Sequence, residues 1–471
     1  MPFGEQALQF ERRMNKARSA VFELAGAATA PLDAAHRHVL KVKRVADVLA
    51  KHDGREPLSL KKRAVSHQVP KKGDKRRGDR KLDVSDLDEI LEIDPLARTC
   101  TVEPGVTFVD LVEVTMAYGL VPTVVPELET ITVGGAVSGC SLESMSFRYG
   151  GFHDSCLEYE VVTTDGKVLT CRPDNEHRLV FEMMHGSFGT LGVLSKLKFR
   201  LVPAKRYVKV TYDTFATLPE YKAAIQRHVD AGDVVFMDGI IHSPTKYVLC
   251  LGHFVDRAPY THRYDWVKIY WQSTGSRKED YFHVADYFFR YDRGVTNVHP
   301  RSFVGRLLFG KLLSSAALLR IADTFNGLFS AERPTVTVDL FLPVSRVESF
   351  MRWYRGAIDH FPLWCVPYKR PRHYEWIATG YLDGIEDDLF LDIAIYGLEQ
   401  PPGRNYYEEI ERALFEARGI KTLISHNYYD EETFWKIWNK PNYEAVKRIT
   451  DPRNVLRDLY TKTCRAARGI D

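Results

Sequence analysis

The sequence predicts an α+β fold in two textures. Its first 204 residues alternate short β-branched runs with short helical ones, and they carry three glycine-rich turns. From Lys205 onward, longer strand-like runs are separated by helical stretches. The glycine turns lie between residues 125 and 192: Gly134-Gly135 with Gly139, Gly150-Gly151, and Gly186 with Gly189 and Gly192. Glycine loses more conformational freedom on folding than any other residue, so three clusters in one segment mark backbone in unusual dihedrals or close against something. Amides and the hydroxyls of Thr132, Ser138, Ser144, Ser146, Ser187 and Thr190 can donate to pyrophosphate oxygens without adding bulk or charge. No cluster reads G-x-G-x-x-G after a strand or G-x-x-x-x-G-K-[ST]. Spacing alone leaves ordinary tight turns as an open alternative.

Composition narrows the class. A chain of 471 residues exceeds one ordinary core and implies two or three domains. A hydrophobic share of 45%, a charged share of 27% and a net charge of +3 describe a globular protein, neither disordered nor strongly basic. The seven cysteines (Cys100, Cys140, Cys156, Cys171, Cys250, Cys365, Cys464) form no C-x-x-C pair, which points to reduced thiols and a cytoplasmic setting. Residues 1–14 are charged throughout, and the apolar stretch 20–32 holds Glu23 and Pro31 and is too short to span a bilayer. Neither a signal peptide nor a membrane anchor is expected.

Taken in order, residues 1–54 read as helical, with Leu40, Val42, Val45, Val48 and Leu49 at helical spacing. This helix is expected to cover the glycine-rich domain. A basic block over 61–81 sets ten Lys or Arg against Asp74 and Asp79. It is open to three readings: cations near a phosphate, a solvated loop, or a nucleic-acid patch that lacks interleaved aromatics. A strand over 99–103 precedes a helix capped by Thr107 with Asp110, carrying Phe108, Leu111, Val112 and Val114, with Gly119 as its C-terminal cap. Residues 156–164 and 167–171 flank Asp165-Gly166 as a β-hairpin, and 192–202 forms a further strand ended by Pro203. Beyond it, 208–212, 234–241, 247–254, 336–342 and 389–396 read as strands.

Particular residues carry a family likeness. Val102-Glu103-Pro104, Val125-Pro126-Glu127-Leu128, Thr132-Val133-Gly134-Gly135, Glu143-Ser144, Tyr149-Gly150, Gly189-Thr190-Leu191-Gly192 and Val202-Pro203-Ala204-Lys205 with Tyr207 resemble the vanillyl-alcohol oxidase/p-cresol methylhydroxylase superfamily. Within it the chain is most similar to the Diminuto/24-dehydrocholesterol reductase (delta(24)-sterol reductase) group. The resemblance implies a two-subdomain FAD-binding domain of the p-cresol methylhydroxylase type over 1–204 and an antiparallel-sheet substrate cap over 205–424. A C-terminal segment, 425–471, would return to the FAD domain. FAD contacts are expected from Thr132, Val133, Gly134, Gly135, Ser138, Gly139, Glu143, Ser144, Gly186, Thr190 and Gly192. The family's glycine-rich pyrophosphate loop is replaced here by Lys61 to Pro70, and His67 within it is either a tether for the flavin or, as for most loop histidines, a surface residue.

The isoalloxazine must carry any hydride chemistry. Reduction of an isolated double bond, as in the sterol-reductase group, also needs a positioned acid. The candidates are Tyr428, His426, Asp392 and Tyr396, with Glu127 read as structural. NADPH would supply the reducing equivalents. The dense aromatics of 281–376 are either core or the walls of a pocket for an apolar lipid. The leucine-rich stretch 303–325, interrupted by Arg306, Lys311 and Arg320, is either a cap helix or a peripheral membrane contact. Two alternatives stand beside the reductase: a FAD-dependent oxidase or dehydrogenase of an alcohol or sugar-lipid, and a non-catalytic binding protein on the same fold. Metal catalysis has no H-E-x-x-H spacing to support it, and a serine hydrolase has no G-x-S-x-G elbow.

Overall fold

The computed structural model describes residues 33–62, 73–264, 268–292 and 335–470. His67, the stretch 20–32, residues 63–72 of the basic block and the segment 303–325 lie outside the described residues.

Strands β1 (Leu58–Lys61) and β2 (Arg80–Asp83) form a parallel pair. A six-stranded sheet follows, from β3 (Ile90–Asp94), β4 (Thr99–Val102), β5 (Leu120–Pro122), β6 (Cys156–Val162), β7 (Val168–Cys171) and β8 (Val193–Pro203). Its order is β3-β4-β8-β6-β7, with β5 beside the end of β8. The long β8 is its spine: Leu197, Phe199 and Leu201 are buried while Lys198 and Arg200 between them face outward, the period of a half-solvated strand. The expected hairpin is β6 with β7, and Gly166 takes φ +86° at its turn.

Helix α1 (Ala34–Ala50) starts where Asp33 accepts from the His36 amide at 2.7 Å. It buries Val42, Val45, Ala46 and Leu49 against the first sheet and the β1–β2 pair. Leu40 and Val48, expected on the apolar face, are instead 50% and 41% exposed, because the buried stripe runs through 38, 42, 45, 46 and 49 and leaves 40 and 48 on the far side. Helix α2 (Phe108–Met116) has the Thr107 cap, but it closes at Ala117, and Gly119 at φ +67° serves the turn into β5. Helix α3 (Val133–Ser138) carries the first glycine turn.

The second sheet has eight strands: β9 (Tyr207–Phe215), β10 (Phe236–Ser243), β11 (Lys246–Val255), β12 (Glu279–His283), β13 (Val336–Pro343), β14 (Leu363–Lys369), β15 (Leu389–Leu398) and β16 (Ile420–Lys421). Their order is β12-β9-β11-β10-β14-β15-β13-β16, antiparallel throughout. Alternation gives it two unlike faces. Leu249, Met237, Cys365, Ile393 and Leu340 point to one side, beneath helices α4 (Leu218–Ala231), α5 (Val347–Ala357) and α6 (Tyr406–Glu416). Tyr212, Cys250, Ile240, Trp364 and Ala394 point to the other, into a core shared with the first sheet. Most of the dense aromatics belong to these cores: Tyr287, Phe288, Tyr354 and Tyr374 are buried. Central β14 is not among the expected strands. Its run Leu-Trp-Cys-Val-Pro-Tyr is buried on both faces and so shows no alternation, and it contains Pro367. The proline is accommodated because β10 pairs only with Leu363 to Cys365, leaving that side of the strand open beyond.

The end of the chain is tied to its beginning. Leu456 bridges Leu58, Asp451 accepts from Thr164 Oγ1 at 2.8 Å, and Arg457 meets Asp79 at 2.8 Å. From helix α7 (Lys440–Thr450), Lys447 donates to the carbonyl of Thr190 at 2.9 Å.

Candidate active site

A cavity of ≈ 580 Å³ opens between the first and third glycine turns, the β1–β2 pair and the face of the second sheet that carries Trp364 and Ala394; the second turn, Gly150-Gly151, does not line it. This is within the range of small-molecule and cofactor sites. Its floor holds Thr132, Gly134, Gly135, Ser138, Gly139, Ser187, Gly189 and Gly192. Thr132 caps α3, its Oγ1 accepting from the Gly135 amide at 3.2 Å. The two adjacent glycines differ in role. A Cβ on Gly134 would lie 2.6 Å from Pro104 Cβ, so its smallness serves packing; a Cβ on Gly135 would meet Thr132 Oγ1 at 3.1 Å and otherwise enter open space.

Two groups of charge face this space. Lys61, Lys62, Arg76, Arg77, Lys81 and Lys462 line one wall, with Asp74 among them. The second sheet supplies another: Asp339 and Phe341 from β13, Trp364 from β14, and Asp392 and Tyr396 from β15, joined by Glu127 and Thr422. Register explains the grouping, since Phe341 pairs with Asp392 and Asp339 with Ala394, so these side chains share one face. Tyr396 donates to Asp339 Oδ1 at 2.5 Å, and Asp392 Oδ1 accepts from the Leu340 amide at 3.1 Å. Burial pushes the Glu127 carboxyl up to about 8, reinforced by the charge of Asp339. Burial likewise holds Asp392 well above the carboxylate range, with Asp339 and Glu127 adding to the effect, and it raises Asp339 despite the hydrogen bonds from Tyr396 and Thr422. Burial thus favours the acid forms of this wall.

Several residues singled out in the sequence stand elsewhere. Val133 is buried in the core, and Thr190 is buried with its hydroxyl on the Ser187 carbonyl. Gly186 at φ +68° turns the chain outside the cavity lining. Glu143 and Ser144 are buried at the junction of the two sheets: Arg290 Nη2 lies 3.1 Å from Glu143 Oε1, and Ser144 accepts from the Met237 amide at 2.7 Å. His426 and Tyr428 also lie off the cavity. The His426 carbonyl accepts from Lys421, and Tyr428 receives Arg468 over its ring at 4.6 Å. The structure brings Asp392 and Tyr396 to the cavity together with Asp339, which sequence reasoning passed over. The signal was present: Asp339 interrupts an apolar strand run just as Asp392 does.

The residues present fit a flavin dinucleotide. A pyrophosphate needs cations and approachable backbone, and the cavity offers a lysine- and arginine-rich wall beside a glycine floor. Comparison with known proteins agrees. A family model described as an FAD binding domain matches residues 58–172. The chain is similar to delta(24)-sterol reductase of Homo sapiens, 26% identical over 81% of this chain and 77% of the human protein. Delta(24)-sterol reductase of Arabidopsis thaliana is 24% identical over 81% and 76% of the two chains. Cytokinin dehydrogenase 5 of the same plant is 30% identical over 75% of this chain and 69% of its own. Fold and site thus define a FAD-dependent oxidoreductase. The chain belongs to the FAD-linked oxidoreductases of the vanillyl-alcohol oxidase/p-cresol methylhydroxylase superfamily, and delta(24)-sterol reductases are among its relatives there. Among the described residues, no helix is long and apolar enough to cross a membrane.

Proposed function

We propose that this enzyme reduces an isolated carbon–carbon double bond of a sterol-like or other lipid substrate, with NADPH as the source of reducing equivalents. The single observation that supports this reading is the proton-bearing wall formed by Glu127, Asp339, Asp392 and Tyr396 beside the aromatic faces of Trp364 and Phe341. An unpolarised alkene accepts hydride only as a proton arrives at its other carbon. Asp392 is the proposed donor: burial favours its acid form, so it can hold a proton for one carbon of the double bond, and FAD in this cavity would supply the hydride chemistry for the other. Asp339, held by Tyr396 and Thr422, stands beside it on the same face of the sheet. Trp364 and Phe341 orient an apolar substrate and keep water from the developing cation. Floor residues Thr132, Gly135, Ser138, Gly139, Ser187 and Gly189 hold the cofactor. Residues 1–204 and 425–471 thereby act as the cofactor domain and 205–424 as the substrate cap.

Oxidation of an alcohol is the competing reading, and it calls for a deprotonated base where these residues favour the acid form. Anaerobic mixing separates the two. Bleaching of the flavin by NADPH, followed by reoxidation with a side-chain-unsaturated sterol and uptake of one solvent deuterium, supports the reductase. Bleaching by an alcohol, with none by NADPH, overturns it.

A further inference from the structure

The cation-rich wall holds a residue from the far end of the chain. Lys462, in the turn Thr461–Arg465, lines the cavity, and its Nζ donates to the Phe188 carbonyl at 2.6 Å. The same Nζ lies 3.7 Å from the position a side chain on Gly189 would first occupy, and Gly189 is part of the cavity floor. Nearby carboxylates are engaged by other cations: Asp74 with Arg76 at 2.7 Å, Asp79 with Arg457 at 2.8 Å, and Asp83 with Lys61 at 2.8 Å. An ammonium against a glycine floor, beside further cations, is an anion site.

We propose that Lys462 is the contact through which the C-terminal segment grips the pyrophosphate of bound FAD. The proposal rests on FAD occupying this cavity, and it assigns to residue 462 a role that neither the family match over 58–172 nor the glycine pattern covers. Electrostatics point the same way. Burial, then the charges of Arg76 and Lys62 and more weakly that of Lys447, bring the amine down to about 7 against the opposing charge of Asp79. A pyrophosphate arriving beside this group reverses the balance, so binding draws a proton onto Lys462. Affinity therefore weakens as pH rises above about 7, by up to tenfold per unit.

The test measures FAD release from the purified holoenzyme, by dilution and flavin fluorescence, between pH 6 and pH 9. Wild-type Kd is expected to climb above about pH 7. Lys462→Met should raise Kd about 10- to 100-fold at pH 6, the size of one charge-assisted hydrogen bond, and flatten the profile. Lys462→Arg, charged at every pH tested, should keep near-wild-type affinity at pH 6 and lose the slope. Wild-type affinity in Lys462→Met, or an unchanged slope in Lys462→Arg, overturns the proposal. Should the wild-type protein hold no FAD at all, the occupancy of the cavity fails instead.

Discussion

Tyr396 donates its hydroxyl to Asp339 Oδ1 at 2.5 Å, from neighbouring strands of one sheet and on the side that faces the cavity. That bond leaves Asp392, one register step away, as the carboxyl best placed to give up a proton, since Asp339 is occupied while burial, with Asp339 adding to it, favours the acid form of Asp392. Asp392→Asn is expected to lower the rate of double-bond reduction at least 100-fold while flavin absorbance and the rate of bleaching by NADPH stay unchanged. Tyr396→Phe should act more weakly, through the orientation of Asp339. Stopped-flow separation of the two half-reactions measures both. Loss of the NADPH step in Asp392→Asn would contradict the assignment.

The same wall sets a pH dependence. An acid catalyst works in its protonated form, and Glu127 holds its proton up to about pH 8. Below that value the cluster is neutral at this position. Above it a carboxylate forms beside Asp339 and Asp392, and substrate reduction should decline. A rate for the sterol step that rises with pH across 7 to 9 would mean that these groups act as bases.

The two glycines of α3 should fail differently when enlarged. Gly135→Val places its side chain in the cavity and is expected to cut FAD occupancy with little change in melting temperature. Gly134→Val drives its Cβ into Pro104 and should destabilise the fold by about 1–3 kcal/mol, the usual cost of overpacking. Flavin-to-protein absorbance ratios and thermal melts, taken together, tell them apart.

Arg290 is the buried pin between the two sheets. Its Nη2 lies 3.1 Å from both Glu143 and Asp238, and its guanidinium stands 4.1 Å from the Tyr287 ring centre. Removing one partner of a buried ion network leaves uncompensated charge behind, so Arg290→Met should cost about 3–5 kcal/mol in urea unfolding. Pairing it with neutral partners, Glu143→Gln and Asp238→Asn, should recover part of the loss.

Helix α1 docks through a charge-dependent contact. His38 lies 2.8 Å from Glu103 and 2.9 Å from Glu160; burial opposes its charge, yet these hydrogen bonds raise it from 6.5 to about 9. The raised value means that its contribution, about 3 kcal/mol at 1.36 kcal/mol per unit, is complete below pH 6.5 and disappears as pH climbs through about 9. Glu160 is the mirror case, lowered to about 2, and its contribution is lost as pH falls below 4.5. Unfolding free energy should therefore slope downward from pH 6.5 to 9, and His38→Asn should remove most of that slope.

Much of this was legible in the chain. The hairpin at Asp165-Gly166, the Thr107 cap and the second-sheet strands with clean alternation follow from local rules, and Asp392 showed itself as a carboxylate in an apolar run. What escaped was set by tertiary context. β14 is sandwiched on both faces, which erases the period that would reveal it. Glu143 and Ser144 carry polar groups suited to a ligand, but their partners are Arg290, Tyr287 and Met237, brought near only by the second sheet. Lys462 looks like any tail lysine until residues 274 positions apart in sequence are placed side by side.

That separation bears on biosynthesis. A nascent polypeptide that has emerged as far as its third glycine bend has a half-built nest, open where Lys447, Leu456 and Lys462 will later close it. The cavity wall that Lys462 completes therefore exists only once the remote end of the chain has been made and has docked.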